Sequence, residues 1–213
     1  MDELELLKKD WQKDKGNYPK LTYNEIYKMI LKKSSSIVKW IFIISILEFV
    51  FWTGFSLLFK DSKHIKEVEE LNASNLFISL SIIGFVILFY FFYKFYKNYR
   101  NISVTDSAKI LMENILRTRR TVKQYVAFNI IFLVIGVVSG VFMSVKQDES
   151  FSNQLNDAAA NGEIFKYYAA IIITTIIALA AVIGILLLFY WLIYGLLLRK
   201  LNHNYSELKK LEI

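Results

Sequence analysis

Four stretches of this chain, roughly residues 37–59, 76–95, 125–145 and 167–198, are mostly apolar for about 20 residues or more. A ~30 Å hydrocarbon core takes about 20 helical residues to cross, so each stretch is long enough to span it. Several are apolar all round, which a helix lying flat on a membrane surface is not. Lipid offers no partner to an open backbone N–H or C=O, so a span must be a helix or part of a closed barrel. The period-two alternation that a barrel needs is absent. The expected fold is therefore all-α: a polytopic membrane protein of four transmembrane helices with helical cytoplasmic extensions. A composition that is 55% hydrophobic, with no cysteine and one proline, agrees. It disfavours a disulfide scaffold, a disordered chain and an ordinary soluble enzyme.

Charge sets the expected orientation. Segments 1–36, 94–124 and 199–213, with Lys39, hold 21 Lys and Arg against 10 acids, a net of +11. Segments 60–75 and 145–166 hold 5 against 8, a net of −3. The basic face is expected in the cytoplasm, with both termini and the central loop. Thirty-six largely polar residues precede the first run, which is too long for a signal-peptide core, so an uncleaved anchor is expected. The overall basicity then reflects topology and attraction to anionic lipid headgroups, not nucleic-acid binding. Aromatic residues give a depth scale, with Tyr167 and Tyr168 at one boundary. Trp40, Tyr125, Tyr190, Trp191 and Tyr194 are expected at the other.

The domain plan is an N-terminal amphipathic region (1–36), a transmembrane domain (37–198) and a tail (199–213). The first region reads as two short helices. Leu4, Leu7 and Trp11 share a face of the first. The second opens on Thr22 and Glu25 at capping-box spacing, with Leu21 and Ile26 at the staple positions. Residues 34–36, all serine, are the expected joint to the first span. In the helical loop 97–124, Ser103 and Asp106 offer a weaker cap before Ala108, Leu111, Ile115 and the Glu113/Arg117 pair. Leu201, Tyr205, Leu208 and Glu212 continue helical spacing after the fourth span. Such faces are too small to stand alone. They either pack together or lie on the inner leaflet. The connection at 145–165 has room for one helical turn near 154–160.

Glu48, about midway along the first run, is the residue most out of place. A charge at that depth costs about 2.5–3.5 kcal/mol or more. A bound proton or a partner inside the bundle relieves it. Ser45 and Trp52 share its face, and Ser81, Ser139, Thr174 and Thr175 are the expected partners across the bundle. Glu48, Ser45, Asn129 and Thr174 form the candidate intramembrane polar site, either functional or simply interhelical glue. Gly136 and Gly140 make a GxxxG pattern. With Ala180 and Gly184 on the fourth span they predict close packing of spans three and four.

No catalytic, metal or cofactor-binding set emerges. His64 and His203 are the only histidines, and the expected topology puts them on opposite sides. No HExxH, GxSxG or phosphate-binding glycine loop occurs. The acids Glu67, Glu69 and Glu70 read as a solvated face, and the Asn72 sequon sits at the expected membrane surface. The opening DELELLKKDWQK followed by four spans resembles a group of uncharacterised integral membrane proteins of Bacteroidota. Some of that group carry a carotenoid-cleaving oxygenase label. Such an enzyme binds iron through four histidines on a β-propeller, which two histidines and this pattern do not match.

The expected role is that of a non-enzymatic protein of the bacterial inner membrane. Its cytoplasmic helices would engage a protein partner or hold an assembly, with a homo-oligomer as a further expectation. A small transporter or channel subunit using Glu48 as a proton or cation site is the alternative. A membrane-embedded enzyme comes third.

Overall fold

A computed structural model describes residues 21–58, 74–105, 107–147 and 149–211. Among these the chain forms five helices: α1 (Tyr23–Leu58), α2 (Ser74–Ser103), α3 (Ala108–Gln147), α4 (Glu149–Ala160) and α5 (Ile164–Leu211). All but α4 are long and apolar enough to cross a membrane, and no strand occurs among the described residues. The fold is all-α and polytopic. The proposed helix over residues 2–14, residues 60–73 of the first outer connection, the acids Glu67, Glu69 and Glu70, and Glu212 lie outside the described residues.

The helices outrun the apolar stretches that define them. α1 has 36 residues and α3 has 40, or about 54 and 60 Å of rise against a ~30 Å core. Their surplus forms a stem. In it Tyr27, Ile30, Val38, Ile102, Leu111, Ile115, Leu201 and Leu208 close into one buried cluster. The amphipathic faces at 26–30, 108–115 and 201–208 thus pack on one another.

The start of α1 follows its signal. The Thr22 N–H and hydroxyl donate to Glu25 Oε2 at 2.8 and 2.9 Å, and the Glu25 N–H reaches back to Thr22 Oγ1 at 3.4 Å. These bonds hold the exposed Glu25 carboxyl below its usual range, the Thr22 backbone bond contributing most. The joint expected at residues 34–36 is absent, because α1 runs through it unbroken. Ser34 is buried and accepts a 3.0 Å bond from Asn204 Nδ2 on α5, so it serves as a polar contact and not as a break. Ser103 does not cap α3. It ends α2, its hydroxyl donating to the Arg100 carbonyl, and α3 begins only at Ala108.

Further polar pairs tie the stem together. Asn98 Nδ2 donates to Thr121 Oγ1 at 3.0 Å, Asn114 Nδ2 to Thr105 Oγ1 at 3.2 Å, and the Tyr27 hydroxyl to the Thr105 carbonyl at 2.9 Å. Among the described residues, no fully buried side-chain N or O lacks a partner. The Glu113/Arg117 pair forms at 3.0 Å on the exposed face, where its contribution is small.

A second cluster (Ile41, Phe91, Phe95, Val122, Tyr125, Tyr190 and Tyr194) lies directly beyond the stem. Past it the four long helices part, and their side chains there are largely exposed in the single chain. Gly136, Gly140 and Gly184 are open: a Cβ on any of them would meet no atom within 4 Å. Ala180 is exposed. The close packing expected from the GxxxG pattern does not form, and α3 and α5 instead flank a cavity of about 600 Å³ at Gly140. The intimate glycine is Gly84 on α2, where a Cβ would come within 2.6 Å of Phe132 Cζ on α3.

Candidate functional site

Glu48 sits on the inward face of α1, in register with the buried Ile41 and Ser45. It is 8% exposed. Its partners are three tyrosines. The Tyr190 hydroxyl donates to Oε1 at 2.6 Å, and those of Tyr125 and Tyr194 donate to Oε2 at 3.0 and 3.2 Å. Asn129 Nδ2 donates in turn to the Tyr190 oxygen at 3.1 Å. Each phenol has one proton to give, and all three are aimed at the same carboxyl. An ionised carboxylate accepts all of them. A protonated carboxyl keeps acceptor capacity on both oxygens, so the same three donors can be held in either state.

Three helices converge to build this cluster. α1 contributes Glu48 and α3 contributes Tyr125 and, one turn on, Asn129. α5 contributes Tyr190, directly before a single π-helical turn over Trp191–Gly195, and Tyr194, within that turn. A π turn inside an α-helix redirects the residues on either side, and such turns recur at functional sites. The rings also hold one another. Tyr125 meets Phe91, Phe95 and Tyr194 edge-on, with centroids 5.5–6.1 Å apart, the arrangement in which ring edges contact ring faces favourably.

The cluster floors a cavity of about 660 Å³ between all four long helices. Its walls include Phe49, Trp52, Phe85, Leu88, Leu133 and Leu186. Among the described residues, no Lys, Arg or His lines it. Toward the stem, Ile41, Phe91, Phe95 and Val122 are at most 6% exposed and close the bundle. The carboxyl thus has hydrogen-bond donors but no counter-ion, with an apolar space on one side and a packed layer on the other.

This differs from the arrangement expected around Glu48. Ser45 shares its face, but its hydroxyl donates to the Phe42 carbonyl at 2.8 Å. Thr174 lies with Gly140, Ser144 and Thr175 at the 600 Å³ cavity, away from the carboxyl, and Thr175 donates to its own helix at the Ile171 carbonyl. Of the candidate polar residues, Asn129 alone joins Glu48, through Tyr190. Tyr125, Tyr190 and Tyr194 do not mark a lipid boundary, because they point inward and are 1–5% exposed. A phenol carries its hydroxyl well beyond its own Cα, so a residue near the end of a span reaches a carboxyl deeper in it. The i,i+4 spacing of Tyr190 and Tyr194 was the sequence signal available. Trp40 and Trp191 are 54% and 56% exposed, as a boundary position requires.

Fold and site together define a four-span helical membrane protein with a carboxylate–phenol cluster under a central cavity. The chain belongs to the family described as Domain of unknown function (DUF8845), whose model matches residues 24–213. Comparison with curated proteins and with solved structures finds no match.

Proposed function

We propose that this is a non-enzymatic multi-pass protein of a bacterial inner membrane, working as an interaction or scaffold subunit through a cytoplasmic stem. The observation that carries this reading is the stem itself. Four helices continue out of the apolar region into one packed cluster, and Lys28, Lys32, Lys109, Lys209 and Lys210 stand exposed around it. A preorganised basic surface of this kind suits an acidic partner, and the same charge favours the cytoplasmic side. The experiment is photo-crosslinking from position 109 in native membranes, with charge reversal at Lys28, Lys109 and Lys209 as the control. A protein adduct lost on charge reversal, with the fold intact, supports the reading. Adducts with lipid alone overturn it. A C-terminal alkaline phosphatase fusion that is active would overturn the sidedness.

A second reading, a transporter or channel subunit using Glu48 as a proton or cation site, is favoured by the cavity that ends on this carboxyl. It requires the layer of Ile41, Phe91 and Phe95 to open. Glu48→Gln abolishing flux in liposomes, with folding retained, supports it. Flux unchanged by that substitution removes it.

A further inference from the structure

We propose that the central cavity is a binding site for a hydrophobic organic cation, held by the Glu48 carboxylate and the aromatic wall beside it. The inference shares its residue with the transport reading but needs no translocation, and a closed receptor site satisfies it equally.

Size comes first. About 660 Å³ falls within the range of sites that enclose drug-sized molecules. The wall is chiefly hydrocarbon and aromatic, so the bulk of an occupant must be apolar. Charge comes second. Among the described residues Glu48 is the one carboxyl on the lining, and no basic side chain lines it. The three phenols supply hydrogen bonds but no positive charge, and Oε1 accepts from Tyr190 only among the contacts made to Glu48. A cation entering the cavity completes that neutralisation where the surroundings are least able to screen it.

The aromatic rings decide between a bare ion and an organic one. Phe49 and Trp52 line the cavity from α1 and Phe85 lines it from α2. Phe49 and Phe85 pack edge to face at 5.9 Å. Ring faces attract desolvated organic cations. A metal ion instead needs several oxygens converging on one point. The oxygens gathered here belong to one carboxyl and three neutral phenols whose protons are directed at it, a poor cage for a metal ion.

The test uses full-length protein in nanodiscs and two ions of nearly the same shape and opposite charge, tetraphenylphosphonium and tetraphenylborate. Binding is measured by equilibrium dialysis, with partition into empty nanodiscs subtracted. Wild-type protein is expected to bind the cation saturably, one per chain, and about tenfold or more tighter than the anion. Glu48→Gln should bring the two affinities together, whereas Val182→Phe, which narrows the cavity and leaves the polar cluster untouched, should weaken the cation. Equal affinity for both ions on wild-type protein overturns the proposal, whether or not the variants fold. So does cation binding that survives Glu48→Gln unchanged. Binding without flux would leave the proposal standing and remove the transport reading.

Discussion

Tyr190 and Glu48 are 142 residues apart in the chain, yet the phenol of one meets the carboxyl of the other at 2.6 Å. That contact joins α5 to α1, and Asn129 on α3 is bonded to the same phenol oxygen. Three helices are therefore coupled through one hydroxyl group. Removing it should be felt by all three.

Tyr190→Phe keeps the ring and deletes the hydroxyl. A hydrogen bond to a charged group is worth about 1.5–3 kcal/mol, and values within membranes run lower, at about 0.6–2 kcal/mol. Unfolding in mixed micelles should show a loss of about 0.6–2 kcal/mol. In the Glu48→Gln background the same substitution should lose less. Equal losses in both backgrounds would mean that the two groups are uncoupled.

Gly84 and Gly136 should respond in opposite ways to alanine. At Gly84 a Cβ is driven into the Phe132 ring, an overpacking that costs about 1–3 kcal/mol, and Phe132→Leu should restore the loss. At Gly136 the space is open, so the better helix propensity of alanine should stabilise the chain by about 0.5–1 kcal/mol. Thermal unfolding of the two variants side by side checks both.

Asn204→Ala strands the Ser34 hydroxyl inside the stem, where both residues are buried. The expected cost is about 1–3 kcal/mol. Hydrogen exchange should rise around residue 34 and around residue 204 together, because the bond joins α1 to α5. A rise confined to α5 would show that the stem helices move independently.

The capping box gives a pH signature. Glu25 is held below its ordinary value of 4.5 by the Thr22 backbone and hydroxyl donors. A depressed carboxyl contributes its stability above the unfolded value and loses it as pH falls through the folded one. The first turn of α1 should therefore fray only below about pH 4.5. Thr22→Ala keeps the backbone donor but removes the hydroxyl cap, so protection there should fall at neutral pH without being lost. Amide protection at residues 25–27 reads both effects.

The spans and the stem faces were legible in the sequence because each depends on local periodicity and length. Thr22 and Glu25, or Leu111 and Ile115, carry their signals within a few residues. Glu48 was also conspicuous, since a charge inside an apolar run needs no tertiary information to stand out. Its partners were hidden. Tyrosine near the end of a span suits a headgroup boundary and a buried hydrogen bond equally well, and only the rotation of α3 and α5 about their axes decides between them. The glycines misled for a related reason. GxxxG permits close approach, but Gly136 faces open space while the lone Gly84 meets Phe132. The serines at 34–36 marked a joint only as long as Asn204, 170 residues away from Ser34, was not known to face them.

The length of α5 has one mechanical consequence. Its 48 residues run from the cavity at Gly140, along the wall of the central cavity and past the two phenols, to the stem. From Tyr194 to Leu208 is about 21 Å of rise. With Tyr190 and Tyr194 pinned at Glu48, the helix acts as a lever whose fulcrum is the carboxyl. A tilt of a few degrees there would swing Leu208 against α1 and α3.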